Sequence, residues 1–164
     1  MTSLDTMYQD LIMDHARHPH GKGLAGAFDG ESFQVNPTCG DRVQLRVSLG
    51  DPAGPEPVLD QLTWDGEGCS ISQASASMMK DLVEGKPLSE VAELADTFNQ
   101  LMHSRGRGVD SDAADSLEDA ISLEGVSRYP MRVKCALLGW MALKDAAAKA
   151  VAGDASPARI PEGI

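Results

Sequence analysis

No apolar run in this sequence approaches the roughly 18 residues that would cross a bilayer, so nothing marks an integral membrane protein. There is no glycine-rich phosphate loop of the usual form and no serine nucleophile elbow. Positive charge is scarce: 14 Lys and Arg stand against 25 Asp and Glu, a net charge of −11. Such an acidic chain is a poor partner for nucleic acid or an anionic membrane surface, and a better one for a basic protein. The first residues carry Asp5 and Asp10 and lack an apolar signal core, so the expected location is cytoplasmic. Thiols stay reduced there. Cysteine itself is sparse. Three residues, an odd number, do not make a disulfide framework. None is paired at the C-x₂₋₄-C spacing of structural zinc modules. Internal repeats and a second domain are also missing, and 164 residues at 42% hydrophobic content suit one domain over 1–164.

The patterns that are present give an element order. Thr2 or Ser3 caps a first helix to about Arg17, with Leu4, Met7, Tyr8, Leu11 and Ile12 at helical spacing. The stretch from His18 to Gly30 is glycine-rich loop. Ser32–Asn36 reads as a short strand. In Arg42–Leu49, Val43, Leu45, Val47 and Leu49 alternate with polar residues, the mark of a half-buried strand. A Pro/Gly turn follows, then a third strand over Leu59–Trp64, with Leu62 and Trp64 on one face. After Cys69 the period changes to helical: Ile71, Ala74, Met78, Leu82 and Val83, stopped by Gly85. Ser89 caps a further helix containing Val91, Leu94, Phe98, Leu101 and Met102. The polar stretch Arg105–Ser116 reads as a flexible loop, and Leu117–Leu123 as a short helix, so that 105–124 stands as an insertion. Pro130 opens a last helix with Val133, Leu137, Trp140, Met141 and Leu143 as its apolar surface. Residues 153–164 form a loose tail. Strands first and helices after predict an α+β fold: a small three-stranded antiparallel sheet with helices packed on one face.

The chemistry lies with the cysteines. Cys39 sits in the turn Asn36-Pro37-Thr38-Cys39-Gly40-Asp41, where Gly40 lets the side chains at 39 and 41 turn toward one ion. Cys69 follows Gly66-Glu67-Gly68 at a helix start, where free N–H groups favour thiolate and the glycines leave room for a bulky partner. Cys135 lies one turn into the last helix, with Arg132 at i−3 on the same face and Lys134 adjacent, cations that favour thiolate. Three thiolates and the Asp41 carboxylate suit tetrahedral zinc or an iron–sulfur cluster. Three unrelated core cysteines fit the count equally well. His15, His18 and His20 read as surface or capping residues.

Taken together, Asn36–Asp41, the run Gly66-Glu67-Gly68-Cys69-Ser70-Ile71-Ser72-Gln73-Ala74-Ser75-Ala76-Ser77, and Tyr129-Pro130-Met131-Arg132-Val133-Lys134-Cys135-Ala136-Leu137-Leu138 resemble the IscU/NifU-N/SufU family of iron–sulfur cluster assembly proteins. The resemblance spans about Leu4 to Ala150. Lys134 stands where IscU-like scaffolds carry histidine, and the polar stretch before Glu124 resembles the extra segment of the SufU branch. The resemblance implies the IscU-like, SufE/NifU-like fold and a zinc ion on Cys39, Asp41, Cys69 and Cys135. It implies a sulfurtransferase, a persulfide carrier more than a small-molecule enzyme. Its donor is a SufS-type, pyridoxal-phosphate-dependent cysteine desulfurase, one of whose histidines replaces a cysteine on the zinc. Cys39 then accepts the sulfur, Arg132 contacts a thiolate or the partner, and a downstream iron–sulfur assembly complex receives the product. The alternative it implies is a scaffold on which a cluster is built and passed on.

Overall fold

The alternation in the second strand is realised in full. In β2 (Arg42–Gly50) Val43, Leu45, Val47 and Leu49 are all buried, and their neighbours are half-exposed. The structure, a computed structural model, describes residues 3–160. β1 (Gly30–Val35) and β3 (Val58–Glu67) pair antiparallel on either side of β2, giving the order β1-β2-β3. β1 begins at Gly30 rather than Ser32 because its backbone lies against the last helix. A Cβ at Gly30 would stand 2.1 Å from the Ala146 carbonyl oxygen. In β3, Ser48 pairs with Gln61 but Leu49 with Leu59, so Asp60 is an extra, bulged residue. The bulge lets Leu59 and Leu62 both face the core, which strict alternation forbids.

Among the described residues there are five α-helices, four where the sequence predicts them and one, α4, in a stretch expected to be loop. α1 is Ser3–Arg17; Thr2, the other candidate cap, lies outside the described residues. α2 (Ser70–Val83) buries Ala74, Met78, Leu82 and Val83, and Gly85 just beyond it takes φ +88°. α3 (Leu88–Met102) buries all five predicted apolar residues. Its cap position is Pro87, not Ser89, whose hydroxyl instead donates to Glu56 at 3.1 Å. α4 is Ser111–Ser116. α5 (Pro130–Val151) packs on β1, β2 and α2 through Leu138, Trp140, Ala142, Leu143 and Ala146. Met141, expected on that face, points to solvent. The Trp140 and Phe98 rings stack with centroids 4.8 Å apart, joining α5 to α3.

Two polar stretches are better anchored than their composition suggests. Residues 105–116 are not loop throughout. Asp110 caps α4 by accepting the Ala113 N–H at 2.8 Å, and the Gly106 N–H donates to Ser127 Oγ at 2.7 Å. Leu117 is fully buried, and 3₁₀ turns over Glu118–Arg128 replace the expected short helix. In the tail, the Ala158 N–H donates to the buried Glu31 carboxylate at 2.8 Å. Arg46 and Gln44 also hold that carboxylate, and Phe28 lies under Arg46. Helices therefore cover one face of the sheet, and coil closes part of the other. Among the described residues, no helix is long and apolar enough to cross a membrane.

Candidate metal centre

The turn before β2 presents the first cysteine. Buried Asn36 organises it: its N–H donates to the Asp41 carbonyl at 2.7 Å, its Oδ1 accepts the Thr38 N–H at 3.1 Å, and its carbonyl accepts the Gly40 N–H at 2.8 Å. Gly40 takes φ +77°, a left-handed conformation that glycine adopts without strain. Cys39 is left exposed at the tip, while the Asp41 side chain turns inward and is buried.

Cys69 is the N-cap of α2, as its position after Gly68 predicts, with no side-chain cap bond of its own. The Asp41 carboxylate performs that task from across the site. Its Oδ1 accepts the Cys69 N–H at 3.3 Å, and its Oδ2 lies 3.6 Å from Cys69 Sγ. Gly68 makes the approach possible, since a Cβ there would stand 2.8 Å from Asp41 Cγ. Gly66 has a different reason from the one its composition suggested. A Cβ there would strike the Arg42 carbonyl at 2.2 Å, so the residue is needed for cross-strand approach.

Cys135 comes from the first turns of α5 and is buried, its Sγ 3.7 Å from Cys39 Sγ. Donor atoms of Cys39, Asp41 and Cys135 all lie within 4.8 Å of one another. Cys69 is outside that tightest set and joins it through Asp41. Two thiolates about 2.3 Å from a tetrahedral zinc lie roughly 3.8 Å apart, close to the 3.7 Å observed. Burial pushes the Cys135 thiol well above its usual range, and Asp41, Cys39 and Cys69 push it further. The crowded set therefore lacks a positive charge of its own, and the chemistry of these donors fits a divalent cation. Burial outweighs the cations expected to lower the thiol. Arg132 is exposed and lines a cavity of about 870 Å³ with Cys69, Ile71, Val126 and Tyr129; Lys134 is also exposed.

Sequence reasoning missed His15, which is 3% exposed. Its signal was its spacing, since it continues the face of Leu4, Tyr8 and Leu11 at helical intervals.

Comparison with known proteins extends these findings. The sequence model for the NifU-like N terminal domain matches residues 7–149. The chain is 39% identical over 156 residues to the zinc-dependent sulfurtransferase SufU of Bacillus subtilis strain 168, covering 93% of this chain and 97% of that one. It is 38% identical to the iron–sulfur cluster assembly scaffold protein IscU of Streptococcus pyogenes serotype M1, over 89% and 86% of the two chains. Among solved structures it superimposes with a TM-score of 0.71 on a proposed iron–sulfur cluster assembly scaffold for the SUF system from Fervidobacterium islandicum AW-1. That protein is 27% identical, with 87% and 97% of the chains covered.

Proposed function

The chain belongs to the NifU-like N-terminal domain family, and from that premise we propose that it is a zinc-dependent sulfurtransferase of iron–sulfur cluster assembly. It accepts persulfide sulfur from a SufS-type, pyridoxal-phosphate-dependent cysteine desulfurase and passes it to the downstream assembly complex, in a cytoplasm that keeps thiols reduced. The observation that carries this reading is the exposed Cys39 thiol 3.7 Å from the buried Cys135 thiol, with the Asp41 carboxylate beside both.

Cys39, Asp41, Cys69 and Cys135 are the residues that hold the zinc. The bound ion supplies a redox-silent positive charge that keeps the thiols deprotonated. Cys39 is the acceptor because it is the most exposed of the three thiols to a second protein. Its thiolate attacks the terminal sulfur of the donor's cysteine persulfide. A sulfur–sulfur bond forms on Cys39 as the donor's sulfur–sulfur bond breaks, and the donor cysteine leaves as thiolate. Asp41 positions Cys69 through the backbone N–H that it accepts. Exposed Arg132, which lines the same cavity as Cys69, contacts the arriving partner.

Anaerobic assay with the desulfurase and cysteine tests the reading. The intact protein should raise turnover and gain the mass of one sulfur atom on Cys39. Cys39→Ser should do neither, and full activation by that variant would overturn the acceptor role. The similarity to the IscU scaffold favours a second reading, cluster assembly on the same residues. Metal analysis separates the two: zinc without visible absorption for transfer, iron with inorganic sulfide and colour for a scaffold. Lys134 beside Cys135 supports transfer, because an ammonium group has no lone pair to ligate a cluster.

A further inference from the structure

Away from the cysteines, the end of α1 and the following loop come down on α2 and the start of the 3₁₀ turns. One nitrogen of His15, one of His20 and one carboxylate oxygen of Asp81 lie within 4.8 Å of one another. We propose that these three residues form a divalent-cation site of the zinc–cobalt–nickel class, built from residues other than those of the cysteine centre.

The donor set selects the ion. Two imidazoles and one carboxylate are borderline nitrogen and oxygen ligands, which suit these metals rather than calcium or magnesium. A histidine ligates through a ring nitrogen whose lone pair is free. Ser77 Oγ accepts the His20 backbone N–H at 2.7 Å and lies 2.7 Å from His15 Nδ1, so a cation on Nδ1 would take the place of that hydroxyl contact. With Nδ1 on the cation, the Nε2–H would donate to Asp119 Oδ2, 3.1 Å away. A carboxylate behind a histidine is the arrangement that fixes ring orientation at metal sites. His20 Nδ1 and Asp81 Oδ2 are 2.5 Å apart, a contact that a cation between them would replace.

The surroundings draw positive charge. A cavity of about 260 Å³ beside the cluster is lined by Asp81, Glu118 and Asp119. It opens on the Asp81 side of the cluster. Bound there, a cation would link α1, the 18–23 loop and α2. The competing account is a hydrogen-bonded clasp that makes the same contacts with no affinity for metal.

Cobalt(II) titration of the intact, metal-free protein under anaerobic conditions separates the two accounts. Cobalt on thiolates gives intense near-ultraviolet charge-transfer bands, whereas cobalt on imidazole and carboxylate gives only weak d–d bands. The expected result is a cobalt equivalent bound without charge transfer, absent in both His20→Ala and Asp81→Asn. In Asp119→Asn it should bind roughly 10- to 100-fold more weakly. Cys135→Ser should retain it, so that failure of the cysteine centre and failure of this site read out separately. If the wild type binds no cobalt without charge transfer, or both His20→Ala and Asp81→Asn keep that equivalent, the protein has only the clasp.

Discussion

At the scale of single residues, Asp41 joins two functions that sequence patterns keep apart. Its carboxylate closes the N-terminus of α2 at the Cys69 N–H and also faces the thiols of Cys39 and Cys135. Asp41→Ala should therefore weaken zinc binding by at least about 10-fold, measured by competition with a chromophoric chelator, while Cys39 stays reactive toward alkylating reagents. Cys135 sets the pH dependence. Its thiol is held above its unfolded value by burial first, then by Asp41, Cys39 and Cys69. The metal-free fold thus keeps this residue's full contribution below the unfolded thiol pKa of about 8.5 and loses it as pH rises beyond. A metal must displace that proton, so apparent zinc affinity should climb with pH between about 6 and 8 with net proton release. A flat affinity profile in the same competition assay would show that no thiol gives up a proton.

At the scale of elements, the β3–α2 junction carries the site, and its two glycines serve different purposes. Gly68→Ala would press on Asp41 Cγ and on Ser72 Oγ, 2.8 and 2.3 Å from the new Cβ. Both neighbours are side chains, so the helix should survive and the metal affinity should fall. Gly66→Ala would instead strike the Arg42 backbone carbonyl at 2.2 Å. That change should destabilise the sheet by about 1–3 kcal/mol. Denaturant unfolding of the metal-free variants, set beside their zinc titrations, distinguishes the two effects. The exposed Leu4 and Met7 show that α1 leaves part of its predicted apolar face uncovered. Periodicity placed those residues on a stripe but not against a surface.

At the scale of the whole molecule, the polar segment between α3 and α5 belongs to the packed structure. Leu117 is fully buried, and the 3₁₀ turns after it bury Ala120, Leu123 and Val126. Leu117→Ala should cost about 2–5 kcal/mol, read by thermal or denaturant unfolding, with zinc stoichiometry unchanged because the cysteines sit on other elements. Loss of metal in this variant would tie the segment to the site. The composition of 105–116 pointed to a loop because aspartates and glycines dominate it. What anchors it lies elsewhere in the chain, at Ser127 and under Leu117.

Local chemistry by itself determined the element order, the meander of three strands, the turn at Gly40 and the placing of Cys69 at a helix start. Each depends on neighbours a few residues away, through strand alternation, helical spacing or a positive φ. Only the tertiary structure decided that Cys39 and Cys135, 96 residues apart, meet at 3.7 Å. It also decided that Asp41 caps a helix from another element and that His15 is buried against Ser77 and Asp119. Those outcomes depend on how α5 and α1 dock on the sheet and on α2. Docking is set by the fit of whole surfaces, and no window along the chain contains both sides of such a contact.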